Sequence, residues 1–196
     1  MDTPTRSPAD RQSRAIPTST EASRWPGAVV FIHWTTVLIV VSVFALVLSR
    51  EFIEDKTVRQ WLLHGHWYAG MTAWLLLFVR IPVRLGADVP RHGLPRLQKV
   101  LSAAGHGLLY LGLLLLPAMG YALACARYGH VDFAGIALPT LIERDRDLAE
   151  TLEAFHGWAG WAMLALIGLH ALAALMHHHV FKDDVLRAML PARRRR

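Results

Sequence analysis

The chain has 196 residues, 54% of them hydrophobic, with a single cysteine and a formal net charge of +6. One cysteine excludes an internal disulfide or a thiolate cluster, and Cys125 reads as a small apolar residue near a helix end. The apolar residues are bunched into four runs, about 28–48, 66–85, 100–124 and 155–176, and most charge lies in the links. The basic excess is therefore a membrane-topology signal, and a nucleic-acid role is a poor reading of it.

Each run is near the roughly 20 residues that a spanning helix needs. None shows the period-2 alternation of a barrel strand, so the chain is an all-α membrane protein with a four-helix transmembrane bundle. Fifteen of the 21 Lys and Arg residues fall in segment 1–28, link 80–99 and the stretch after His178. Six fall in links 50–60 and 125–155, so the positive-inside rule predicts both termini in the cytoplasm.

In chain order, residues 1–23 are rich in Pro, Ser, Thr and Arg and are expected to form a disordered cytoplasmic tail. No signal peptide is expected, because the first apolar run is too long and no small-residue cleavage site follows it. Trp25-Pro26-Gly27 marks the first interface. The first helix carries His33 about two turns in. The second starts outside with WLLHGHWYAG and ends at FVRIPVRL, which places Arg80 and Arg84 at the cytoplasmic interface. The third holds His106 and Pro117, a kink-prone position. The outer link after it, 125–152, is the longest, and no element is assigned within it. The fourth helix returns inside, and KDDVLRAML reads as a short helical tail at the membrane surface. The division is then tail 1–23, four-helix domain 24–181 and basic cytoplasmic tail 182–196.

The last run contains His156 and His170, costly at bilayer depth unless the protein uses them. Fourteen residues separate them, roughly 21 Å of rise and within about 40° of one helix face. That spacing suits two stacked sites. HWYAG (66–70) and HGWAG (156–160) each open an outside-to-inside helix, which sets His66 and His156 at one depth. Gly70 and Gly160 lie one turn below their histidines, where a missing side chain makes room for a flat macrocycle. A tight helix–helix contact is the other reading of these glycines. His33 and His170 share the inner half. Zinc normally wants four ligands, with carboxylate or thiolate help absent from these runs. Haem iron needs only two axial imidazoles and a greasy pocket, and two such ligands favour electron transfer over dioxygen activation.

The ordered set of IHW at His33, HWYAG followed by FVRIPVR, GHGLLYLGLLLLPAMG, FHGWAG and IGLHALAALMHHHVFKDDVLRAMLP resembles the bacterial cytochrome b-561 family over about residues 24–191. These are four-helix, di-haem inner-membrane proteins. The resemblance implies two b haems per chain, with His33 and His170 ligating the inner iron and His66 and His156 the outer, the pairs that spacing gives. It implies electron exchange with membrane quinone in the lipid bilayer, fed by a small one-electron donor at the outer face; some members oxidise superoxide. The outer link carries six acids against three arginines, which repels an anion unless the arginines with Lys56 or Arg59 line the entrance. By resemblance His177 is the best candidate for a quinone-carbonyl donor, since reduction needs a proton as well as an electron and imidazole is a common proton carrier. A homodimer is compatible with all of this.

Other polar residues keep two readings. His106 either meets a propionate, a quinone or the inner iron, or is bonded to Ser102 or a neighbouring helix. Arg80 and Arg84 either pair with inner-haem propionates or anchor the interface. His177, His178 and His179 stand where headgroups lie. His64 is the alternative to His66, His92 and His130 read as solvated, and Trp25, Trp61 and Trp67 read as an interfacial belt. The rival functions are a haem-bearing anchor subunit of a larger dehydrogenase or hydrogenase and a haem-free carrier of metal ions.

Overall fold

A computed structural model describes residues 24–88 and 95–190. The expected tail 1–23, His92 and the terminal Arg193–Arg196 lie outside the described residues. Helix α1 spans Gly27–Ser49, α2 Lys56–Leu85, α3 Arg96–Tyr128, α4 Arg146–His179 and the short α5 Val185–Ala188. Helices α1 to α4 are long and apolar enough to cross a membrane. Large apolar side chains such as Leu38, Trp158 and Leu169 point outward, as lipid-facing positions must.

All four helices are longer than their apolar runs, and α2, α3 and α4 by two turns or more. The side chain of Asp55 accepts the Val58 N–H at 2.9 Å, and that of Asp145 accepts the Leu148 N–H at 3.0 Å. These N-caps satisfy donors that would otherwise be orphaned, so α2 and α4 start in the polar links. His66 and His156 therefore each lie ten residues past the first residue of their helices, deeper than the sequence pattern implied. Helix α3 runs through Pro117 and ends at Gly129, whose φ of 74° lets its N–H reach Cys125 O at 2.7 Å.

Helix α1 packs along α2 and α3 along α4, and the contact joining the two hairpins through α2 and α3 is thinner. The two hairpins face each other across a seam. At one end, here the loop side, the link after α3 folds into a cap. Strands β1 (Asp132–Phe133) and β2 (Ile136–Ala137) pair antiparallel around Ala134 and Gly135, both at positive φ. Two consecutive positive-φ residues match the twist of a two-residue hairpin. The Tyr121 hydroxyl donates to Pro139 O beneath it. Met71, Tyr121, Cys125 and Val131 form the buried core there, with Trp67, Trp74 and Phe133 against it. Trp67 thus leaves the expected belt for the core, whereas Trp61 stays outward.

At the other end, the tail side, α5 folds back onto the start of α1. The Trp34 indole donates to Met189 O at 2.8 Å, and Trp25 N to Ala188 O at 3.3 Å. The Arg84 guanidinium lies 4.3 Å over the Trp25 ring, a cation–π contact that explains its place at this end.

Candidate haem-binding seam

Two imidazole pairs face each other across the seam. His33 of α1 and His170 of α4 have ring centres 6.5 Å apart with planes at 71°. His66 of α2 and His156 of α4 stand 6.1 Å apart at 83°. A metal–imidazole bond of about 2.0–2.1 Å, with about 1.1 Å from nitrogen to ring centre, sets two coaxial imidazoles about 6.3 Å apart across one metal. Both separations fit. All four rings are half-buried while neighbours on α4 such as Phe155, Trp158 and Leu169 are exposed, an arrangement inside out for a soluble protein and ordinary for one in lipid.

The loop-side pair has the surroundings of a ligand site. His66 Nδ1 lies 2.9 Å from Val43 O. A carbonyl only accepts, so Nδ1 carries the proton and Nε2 keeps its lone pair toward the seam. His156 Nδ1 is buried without a hydrogen-bond partner; the Leu116 carbonyl faces that ring outside hydrogen-bond geometry. A buried orphan of this kind costs about 1–3 kcal/mol, and it faces α3 beside Gly120, which leaves the opposite edge of the ring for the seam. Trp74 Nε1 is orphaned in the same way.

The glycines divide into two classes. A Cβ on Gly70 or Gly160 would meet nothing within 4 Å, yet both residues are partly buried. They border open space, as the exposed Gly107, Gly157 and Gly168 also do, and do not mark a tight helix contact. Tight contacts occur elsewhere, at positions the sequence did not single out. A Cβ on Gly112 would collide with Met163 Sδ, and one on Gly120 would lie 3.2 Å from His156 Cε1. Gly120 therefore makes the room that His156 occupies.

The tail-side pair is built differently. Arg80 is drawn into the bundle, where it donates from NH2 to His33 Nδ1 at 3.1 Å, from NH1 to Thr36 Oγ1 at 3.2 Å and from Nε to Tyr110 OH at 3.2 Å. This corrects its expected place at the interface. A charge at membrane depth needs polar partners, and helices α1 and α3 supply them. Thr36 and Tyr110, unremarked in the sequence, form its cradle. His106 donates from Nδ1 to Ser102 O at 2.6 Å, and its ring centre lies 5.2 Å from that of His170. It is bonded along its own helix and closer to His170 than a shared metal permits.

The model of the family described as prokaryotic cytochrome b561 matches residues 24–192. The chain belongs to that family. It is 32% identical to the probable superoxide oxidase CybB of Yersinia pestis over 83% of this chain and 93% of the relative. It is 28% identical to cytochrome b561 homolog 1 of Escherichia coli K12, over 88% and 99%, and 27% identical to homolog 2, over 81% and 86%. The chain is thus a multi-pass b-type cytochrome of the bacterial inner membrane, with haem b as cofactor and electron transfer as its work.

Two further clusters of the cytochrome concern its ends. At the tail side, His177 Nδ1 lies 2.5 Å from an Asp183 carboxylate oxygen. The other oxygen accepts Val185 N–H at 3.1 Å, and Asp183 N–H returns to His177 O. An apolar groove of about 530 Å³ opens there between Trp25, Val30, Phe31, Trp34 and Leu190. Trp34 is edge-on to His33 at 5.5 Å. At the loop side, Arg127 pairs with Glu153 at 2.6 Å and Arg146 with Glu150 at 3.2 Å. His64 points away from the seam, exposed beside Lys56 and Gln60. His130 is exposed and pairs with Asp132. Among the described residues no three His, Cys, Asp or Glu side chains converge on a metal ion.

Proposed function

We propose that the cytochrome holds two b haems, one between His33 and His170 and one between His66 and His156, and relays single electrons from a loop-side donor to a membrane quinone at the tail side. The observation that carries this reading is the pair of imidazole separations, 6.5 and 6.1 Å, across one continuous seam. Bound haem would supply one-electron redox chemistry, and His33, His170, His66 and His156 are the residues that would hold it. Gly70 and Gly160 keep the seam wide enough for the ring, and the outward apolar residues exclude water from it.

The basic tail side faces the cytoplasm and the loop side the periplasm. Superoxide is the donor we favour, supported by the name of the Yersinia relative. The outer acids Glu150 and Glu153 are answered by Arg146 and Arg127. The α1–α2 turn carries Arg50, Lys56 and Arg59 against Glu51, Glu54 and Asp55, and Arg50, which acts on His66, is the cation placed to steer an anion toward the outer pair. At the inner face the apolar groove beside Trp34 suits a quinone tail. As an imidazolium held by the Asp183 carboxylate, His177 would keep its Nδ1 proton toward Asp183 and give its Nε2 proton to the reduced quinone.

Purified protein should give two b haems per chain by pyridine haemochrome, and the reduced form should pass electrons to ubiquinone. Replacing His66 or His156 should remove one haem and leave the other. A haem-free chain, or one retaining both haems after either replacement, would falsify the assignment.

A further inference from the structure

Arginines from three segments stand beyond the His66/His156 pair on the loop side. Arg50 follows Val43, whose carbonyl holds His66, by seven residues. Arg127 follows Gly120, which faces His156, by the same interval, and Arg59 precedes His66 by it. Seven residues are about two helical turns, so each arginine lies on the face that reaches the pair. Two of the three are spent. Arg127 takes both carboxylate oxygens of Glu153, at 2.6 and 3.4 Å, and Arg59 NH1 donates to Ile53 O at 3.4 Å. Arg50 is close enough to His66 and Glu153 to act on both, yet among the described residues it forms no ion pair. Its Nε is shielded from solvent and has no hydrogen-bond partner. Glu51, Glu54 and Asp55 of the same turn are exposed, and Asp55 caps α2. The charge of Arg50 can act on a passing anion through space, but an N–H that water cannot reach needs a resident acceptor. A carboxylate is the acceptor that matches a guanidinium.

We infer that Arg50 Nε holds a carboxylate of the group seated between His66 and His156, a propionate in the case of haem b, and so turns the acid edge of that group toward the loop end. Arg50 is then a cofactor-binding residue of the loop-side centre. The contact is a hydrogen bond between opposite charges, with no proton or electron transferred. The inference rests on the two-haem reading above, and adds to it the anchor and the orientation of one haem.

Release of haem from the full chain to excess apomyoglobin tests this. In Arg50→Gln one haem should leave at least about tenfold faster, the scale of a lost hydrogen bond between charged groups, and the other at the wild-type rate. In His156→Ala, where the tail-side haem alone remains, adding Arg50→Gln should change nothing. Haem dimethyl ester carries no free acid, so chains loaded with it should release the loop-side group equally fast with or without Arg50→Gln. Unchanged release of haem b in Arg50→Gln overturns the inference, even if that variant reacts more slowly with superoxide, since Arg50 would then serve only the passing anion. A difference that persists with the ester overturns it as well. If Arg50→Gln does not fold, the wild-type chain loaded with haem b or with the ester decides alone, the ester being expected to leave the loop side at least about tenfold faster. A chain with fewer than two haems defeats the underlying reading, whereas a two-haem chain indifferent to Arg50→Gln defeats only this inference.

Discussion

At the loop end of the bundle, His66 and His156 lie near a packed cap of Tyr121, Cys125 and Val131, with Asp145 pinning the start of α4. At the tail end, His33 and His170 share their space with Arg80, Thr36, Tyr110 and His106, and among the described residues the four-residue helix α5 folds over that end. The same two side chains at nearly the same separation are thus held by a mostly apolar frame in one place and by a polar network in the other. Ligand geometry belongs to the helices, whereas the properties of each site belong to its neighbours. Each end can be altered by a substitution that should leave the other intact.

The largest effect is expected from His156→Ala, which should abolish the loop-side haem and halve the haemochrome count while the tail-side spectrum persists. Loss of both haems would mean that the two ends are not independent. Gly160→Leu should come close behind. Its side chain would enter space in which a Cβ meets nothing within 4 Å, so apoprotein folding should survive while loop-side occupancy drops more than about tenfold. A helix-contact glycine would give the reverse result, a misfolded chain, as overpacking costs about 1–3 kcal/mol.

Both pairs could be read from the sequence because helical period and opposed chain direction fix depth and face, and because lipid forces apolar runs to declare themselves. Arg80 could not, since an arginine near the end of an apolar run looks identical whether it anchors an interface or turns inward. Its inward turn depends on Thr36 and Tyr110, from helices that only tertiary structure brings together. The helix starts were missed for a local reason, because Asp55 and Asp145 extend α2 and α4 into segments with no apolar pattern. The hairpin in the outer link was missed because its turn is Ala134-Gly135, without the Asn-Gly or Asp-Gly that signals such turns. Asp183 reads as an ordinary polar tail residue until the chain reversal after α4 brings it to His177.

Asp183→Asn comes next in size and acts at the tail end alone. An amide still holds the His177 ring but no longer favours its proton on Nδ1. Quinone reduction should slow by about 10–100-fold, the scale seen when the partner orienting a functional imidazole is lost. Haem content and both potentials should stay as they were. A rate unchanged in Asp183→Asn would leave His177 an interfacial residue. At the loop end, Asp145→Ala removes the cap on α4 and should cost about 0.5–2 kcal/mol. Thermal melting of the apoprotein would detect that loss, with no change in quinone kinetics.

The smallest effect, and the sharpest test of independence, is Gly120→Ala. The added Cβ would lie 3.2 Å from His156 Cε1 and 3.7 Å from its Nδ1, closer than most such contacts, so the ring must yield by a few tenths of an ångström. Against that crowding, alanine favours a helix interior by about 0.5–1 kcal/mol over glycine, and net stability should hardly move. The displacement should instead register in the iron. The low-spin EPR signal of the loop-side haem, sensitive to the angle between its two imidazole planes, should shift, and the tail-side signal should not. An unmoved loop-side signal would mean that His156 is not pressed against α3 when haem is bound. Movement of both signals would mean that α4 transmits a local change along the fourteen residues separating His156 from His170, and that the two centres are mechanically one.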